Sequence, residues 1–301
     1  MEKSFYSNGK LLLTGEYVVL DSATALAIPT KYGQRLTIKP ASLNELLWKS
    51  FDVNEQCWFS ASFALNTFEI LNTDNPKTAN TLQKIIREGQ RLNPKFLTNT
   101  EGIQATTNLT FPQDWGLGSS STLINNIAQW AQVDAFKLLQ NSFGGSGYDI
   151  AAAQQKQPFF YQLKEGQPSV KNAHLQWDFK DKLFFVHLNQ KQNSKEGIAH
   201  YRNAEVNKQD IEKISDLGKK LLLCYTLQDF ENVMQSHEKT ISGILQIQTV
   251  KQRLFPDFGG IVKSLGAWGG DFVLATGDEV SQEYFRRKGY KTIISFNDMI
   301  L

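Results

Sequence analysis

A glycine and serine run, Gly116-Leu117-Gly118-Ser119-Ser120-Ser121, follows Pro112 closely and stands directly before an amphipathic helical pattern. Residues of these types in this order can hold a phosphate group. Glycines let main-chain N–H groups approach an anion, a helix N-terminus adds partial positive charge, and serine hydroxyls can bond phosphate or a magnesium ion. The same run can also do no more than cap a helix, so its chemistry depends on what else the chain supplies. It lacks the Gly-Lys-Ser/Thr ending of a Walker loop, and any lysine for the phosphates has to come from elsewhere.

The helix behind this run is marked by Leu123, Ile124, Ile127, Ala128 and Ala131, which share one face of a 3.6-residue period. A second glycine segment, Gly144-Gly145-Ser146-Gly147, runs into Tyr148-Asp149-Ile150-Ala151 and predicts another loop-to-helix junction. A third, Gly266-Ala267-Trp268-Gly269-Gly270-Asp271, leads into a strand from Phe272 to Ala275, then a helix from Val280 to Lys288 and a strand from Lys291 to Ser295.

Upstream, Leu11 to Leu13 and Tyr17 to Leu20 read as short strands around a Thr14-Gly15 turn. Arg35 to Lys39 and Ile103 to Leu109 alternate as strands do, while Leu82, Ile85 and Ile86 mark a helix opened by Asp74-Asn75-Pro76. Ile211, Ile214, Leu217 and Leu221 suit one later helix; Phe230, Met234, His237, Ile241 and Ile244 suit another. The polar stretch from Gly166 to Asp181, ahead of an apolar strand at Leu183 to Leu188, places a domain boundary and divides the chain into 1–172 and 173–301. Strands and helices in this order predict an α+β protein.

Composition narrows the classes. The 301 residues suffice for about two domains. No run of about 18 apolar residues and no basic-then-apolar leader is present, so the chain reads as soluble and cytoplasmic. Lys and Arg number 32 against 30 Asp and Glu, without a basic stripe, which argues against a nucleic-acid partner. Cys57 and Cys224 are isolated and read as buried thiols; they suit neither a zinc site nor a disulfide framework.

Taken with Gly9-Lys10-Leu11-Leu12-Leu13-Thr14-Gly15-Glu16-Tyr17, the three glycine loops in this order resemble the GHMP kinases, a family that includes galactokinase, homoserine kinase, mevalonate kinase and phosphomevalonate kinase. The resemblance covers almost the whole chain. It implies a two-domain fold, with an N-terminal α+β domain like that of a ribosomal protein and a C-terminal ferredoxin-like α+β domain, and it implies ATP with Mg2+. Pro112 and Gly116 to Ser121 match the ATP-phosphate loop, with Ser120 bearing on magnesium. Lys10 and Asp149 take the positions of the catalytic lysine and the aspartate base.

A carboxylate can accept the proton of an attacking oxygen while an ammonium offsets charge on the moving phosphoryl group. Glu16, Ser146, Gly147, Lys195, Gly266, Ala267 and Gly269 fall where the acceptor and the third loop are expected. The pattern Gly145-Ser146-Gly147-Tyr148-Asp149-Ile150-Ala151 and the Gly269-Gly270-Asp271 ending are more similar to phosphomevalonate kinases than to mevalonate kinases. Asn193-Ser194-Lys195 resembles a step seen in both. Phosphomevalonate is therefore the favoured small-molecule acceptor, with mevalonate next; a non-catalytic nucleotide or metabolite binder and diphosphomevalonate decarboxylase share the fold.

Two positions depart from the pattern: Tyr17 stands where mevalonate kinases carry histidine, and Trp268 replaces a glycine of the third loop. Read without the resemblance, Asp149 is a helix N-cap and Lys10 a snorkelling surface lysine. Trp115 either packs under a base or shields the loop. The four histidines lack metal-ligand spacing, and His237 reads as a hydrogen-bonded core residue.

Overall fold

The computed structural model describes residues 2–98, 101–190, 194–266 and 268–301. Five strands, β1 (Lys3–Thr14), β2 (Ala25–Pro40), β3 (Glu45–Phe51), β4 (Cys57–Ala64) and β5 (Ile70–Thr73), precede helix α1 (Pro76–Leu92). Strand β6 (Ile103–Leu109) leads to α2 (Ser119–Ala131), α3 (Ala135–Ser142) and α4 (Tyr148–Gln154). There follow β7 (Phe159–Lys164), β8 (Gln167–Asn172), β9 (Leu183–His187), α5 (Ser194–Arg202), α6 (Lys208–Leu221), α7 (Leu227–Leu245) and α8 (Val250–Leu254). The described chain closes with β10 (Val262–Ser264), β11 (Phe272–Thr276), α9 (Glu279–Arg287), β12 (Ile293–Ser295) and α10 (Phe296–Met299).

Packing divides the chain into two compact units. One comprises Met1–Gly9, Tyr32–Gln113 and Leu117–Gln154; the other comprises Lys10–Lys31, Asp114–Gly116 and Gln155–Leu301. The units interleave along the chain because β1 and β2 each contribute a segment to both.

In the first unit the strand order is β5-β4-β3-β6-β2, antiparallel except for the parallel β3–β6 pair. Ile103, Ala105, Thr107 and Leu109 of β6 are buried, as their alternation requires, and Ile103 and Ala105 join a core with the apolar stripes of α1 and α2. Helix α1 opens as its sequence predicts: the Asn75 side chain accepts from the Thr78 N–H, with Pro76 in the first helical position. Buried polar residues tie α2 in place. Asn126 Nδ2 donates to the Gln34 carbonyl at 2.9 Å, Asn125 Nδ2 to Ser7 Oγ at 2.8 Å, and Gln154 Nε2 of α4 to Asn125 Oδ1 at 2.9 Å.

In the second unit a four-stranded antiparallel sheet runs β10-β11-β9-β12. The hairpin β7–β8 pairs through β7 with the first part of β2, and β8 occupies the start of the polar stretch from Gly166 to Asp181. Helices α6 and α7 pack together. Between β1 and β2 the apolar run from Tyr17 to Leu20 is not a strand: Val18–Asp21 forms a 3-10 turn that buries Val18 and Val19. Four apolar residues are too few for periodicity to separate strand from turn, and here Gly15 and Tyr17 carbonyls accept from the Val19 and Leu20 N–H groups. Cys57 corrects another expectation: it begins β4 at the exposed edge of a turn, whereas Cys224 is buried, and both thiols are free. Among the described residues no helix is long and apolar enough to cross a membrane.

Candidate active site

Lys10 lies near the end of β1, half-buried, and its Nζ donates to the Gly116 carbonyl at 3.0 Å. The ammonium also borders the third glycine loop, since a Cβ placed on Gly266 would sit 3.9 Å from it. Residues 10, 116 and 266 thus meet at one cation within the second unit. Gly116 has φ +65°, and a Cβ there would lie 2.1 Å from the Asp271 carboxylate, so no larger residue fits without moving that aspartate. Asp271 is itself buried and held by its N–H to the Gln190 carbonyl at 2.9 Å.

In the first unit Gly118 is the N-cap of α2, in a left-handed conformation (φ +87°) that favours glycine, and no side chain caps the helix. The first intrahelical bond is Thr122 N–H to the Gly118 carbonyl, which leaves the N–H groups of Ser119, Ser120 and Ser121 directed out of the helix start. Ser120 is exposed and its two neighbours half-buried, while Leu117 anchors the loop in the core and Pro112 is half-buried. Such an end is suited to an anion.

Asp149 sits inside the first turn of α4, half-buried, rather than at the capping position. Before it, Ser146 and Gly147 are buried, and Gly147 accepts from the Ala151 N–H at 3.1 Å. Helices α2 and α4 pack on each other, so the same unit carries the serine-lined helix start and Asp149.

Glu16 is placed differently from an open acceptor contact. Its carboxylate is buried, 1% exposed, and engages Lys263 of β10. Lys263 also lies 3.3 Å from Glu238 Oε1 of α7, and His237 Nε2 accepts from the Gly15 N–H at 3.0 Å while lying 3.4 Å from Glu16 Oε2. Burial dominates the titration here. It pushes the Glu16 carboxyl up to about 7 despite Lys263, raises Glu238, and holds His237 well below the ordinary histidine range. His237 is therefore the hydrogen-bonded core residue that its helical stripe predicted.

Lys195 is exposed in the first turn of α5. Gly269 is buried at φ +91°, and its carbonyl accepts from Gln190 Nε2. Ala267 and Asn193 lie outside the described residues. Trp115 packs edge-on against Phe272, with ring centroids 5.3 Å apart, and also against His187.

No protein-family model matches this chain, and no curated protein matches it in sequence. Solved structures do. The mevalonate kinase of Methanococcus jannaschii superposes with a TM-score of 0.73 at 15% identity, covering 98% of this chain and 97% of that one. The phosphomevalonate kinase of Streptococcus pneumoniae, in complex with phosphomevalonate and AMPPNP, gives 0.71 at 15% identity over 97% and 99%. The galactokinase of Lactococcus lactis gives 0.66 at 12% identity over 100% and 93%. The fold is that of the GHMP kinases.

On this GHMP-kinase fold, sequence reading missed Lys263, Glu238 and the Asn125–Asn126 pair. Each carried a signal: Lys263 interrupts an apolar approach to the third loop, Glu238 adjoins a histidine on a buried helical stripe, and two asparagines sit in the stripe of α2. A polar residue at a core position needs a partner, but its own neighbourhood in sequence does not name that partner.

Proposed function

We propose that this protein is an ATP-dependent small-molecule kinase of the mevalonate route, with phosphomevalonate as the favoured acceptor and mevalonate next. The observation that carries the reading is the meeting of Lys10, Gly116 and Gly266 at one ammonium, on a chain whose whole length follows the GHMP-kinase fold. A phosphomevalonate kinase among the structural neighbours holds phosphomevalonate and AMPPNP, which supports ATP and that acceptor class.

In this mechanism the N–H groups at the start of α2 receive ATP phosphate oxygens, and Lys10 offsets the charge that develops as the phosphoryl group moves. The Asp149 carboxylate takes the proton from the attacking hydroxyl or phosphate oxygen. Most of the acceleration in phosphoryl transfer comes from positioning and electrostatics. Lys195 is the candidate for the acceptor's own anionic group.

Magnesium fits the donor set. A magnesium ion that arrives with ATP binds mainly through the nucleotide phosphates and needs only one or two protein oxygens. Ser120 Oγ, exposed at the helix start, is the residue that would hold it; when bound, the ion neutralises phosphate charge.

Product analysis tests the reaction type. Phosphorus NMR after incubation with phosphomevalonate and ATP is expected to show a new diphosphate ester. Carbon dioxide release would instead assign a decarboxylase, and ATP binding with no product on any acceptor would assign a non-catalytic binder.

A further inference from the structure

Tyr17, which stands where mevalonate kinases carry histidine, and Trp268, which replaces a glycine of the third loop, meet in space. The Trp268 N–H donates to the Tyr17 hydroxyl oxygen at 2.9 Å, and both rings are buried in one cluster with Tyr201. Tyr17 has a backbone φ of +62° with ψ of −50°, a conformation that a non-glycine residue holds only when its surroundings fix it. Three contacts do so. Glu16, next in the chain, is locked to Lys263; the Tyr17 ring stacks on Tyr201, with centroids 5.7 Å apart and planes at 20°; and the hydroxyl rests over Gly197 of α5, where a Cβ would lie 2.4 Å away. Tyr201 is in turn held by Asp21, which also pairs with Arg202.

What Tyr17 holds is the main chain of the third glycine loop. This loop turns at Gly266 beside the Lys10 ammonium and ends at Asp271 against Gly116. An amide donated to a phenol is one fewer donor for a phosphate oxygen, and burial keeps that phenol in its neutral form. The Trp268 side chain, 6% exposed, turns into the apolar cluster.

We propose that Tyr17 is a positioning residue: its hydroxyl fixes the Trp268 amide and so sets the third glycine loop against Lys10. The proposal rests on the kinase reading for its effect on turnover, but not for its effect on the loop. Tyr17→Phe removes only the hydroxyl and keeps the ring stack. Gly197→Ala keeps the hydroxyl but pushes it off its seat.

Both variants of the full chain are to be compared with wild type by hydrogen exchange of the peptide spanning 265–272 and by steady-state kinetics. Both are expected to raise exchange in that peptide about tenfold, with α7 peptides unchanged. Each is also expected to lower kcat/KM for ATP about tenfold, with melting temperatures within a few degrees of wild type. Unchanged exchange in Tyr17→Phe, or a lower melting temperature with kcat and KM of the folded enzyme unchanged, overturns the proposal. If wild type turns over no acceptor, the kinase reading falls separately. Tyr17 is then judged by exchange and by calorimetric ATP affinity, and the absence of a change in either overturns it.

Discussion

The start of α2 and the Glu16–Lys263 cluster are both polar places in an apolar protein, but they are finished in opposite ways. At α2 the cap is a glycine with no side chain to offer, and three successive N–H groups are left directed outward beside serine hydroxyls. In the cluster, four ionisable side chains from residues 16, 237, 238 and 263 are buried together and turned on one another. The first region offers its donors outward. The second finds its ion-pair partners within the chain, although Glu16 Oε2, His237 Nδ1 and Glu238 Oε1 make no hydrogen bond, and it fixes the turn from Gly15 to Tyr17 to α7 and β10. Ligand-facing polarity and scaffold polarity can therefore be told apart by asking where the partner comes from.

Changes at the α2 start and at Asp149 are expected to alter turnover and spare stability, whereas changes in the cluster do the reverse. The largest effect is expected for Asp149→Asn: a fall in kcat of up to about 10⁴-fold, with ATP affinity and melting temperature near wild type, measured by steady-state kinetics and calorimetry. Lys263→Met leaves two buried carboxyl groups without their cation and is expected to cost about 3–5 kcal/mol in urea unfolding. Near-normal stability would place Lys263 on the ligand side instead.

Glu16→Gln gives a smaller effect with a definite sign. The carboxyl loses its proton near 4.5 when unfolded and near 7 when folded, so wild type loses stability as pH rises across that window. The glutamine variant lacks this loss and is expected to gain on wild type by up to about 3 kcal/mol between pH 4.5 and 8. His237 works the other way: held neutral in the fold, it favours the unfolded state as pH falls below 6.5. Glu16→Gln leaves that contribution less opposed, so the variant is also expected to be the more acid-sensitive; denaturant midpoints at pH 5, 6.5 and 8 measure both. The smallest effect is expected for Ser120→Ala, about tenfold in kcat/KM, the worth of one charge-assisted hydrogen bond, at unchanged melting temperature.

The same contrast explains what could be read from the sequence. Gly116 to Ser121, the helix behind them and the α1 cap are local: the residues that make each feature are neighbours in the chain, and their types announce it. The fold was legible through three glycine loops in order together with Gly9 to Tyr17, although the Val18–Asp21 turn and the exposure of Cys57 were not. Glu16 was read as an acceptor contact because nothing near it in sequence reveals Lys263, which is 247 positions away. Lys10 shows the limit from the other direction. Its type marked it, but its carbonyl partner at Gly116, 106 positions on, needed the fold.

We propose that Lys10, the glycine loops and Asp149 serve phosphoryl transfer from ATP to a mevalonate-series acceptor. The most direct test is ADP formation by the purified full-length chain with ATP and magnesium, using mevalonate, phosphomevalonate, galactose and homoserine as separate acceptors. Acceptor-dependent ADP release is expected, strongest with phosphomevalonate and lost in Asp149→Asn. No ADP above the acceptor-free rate with either mevalonate compound would contradict it.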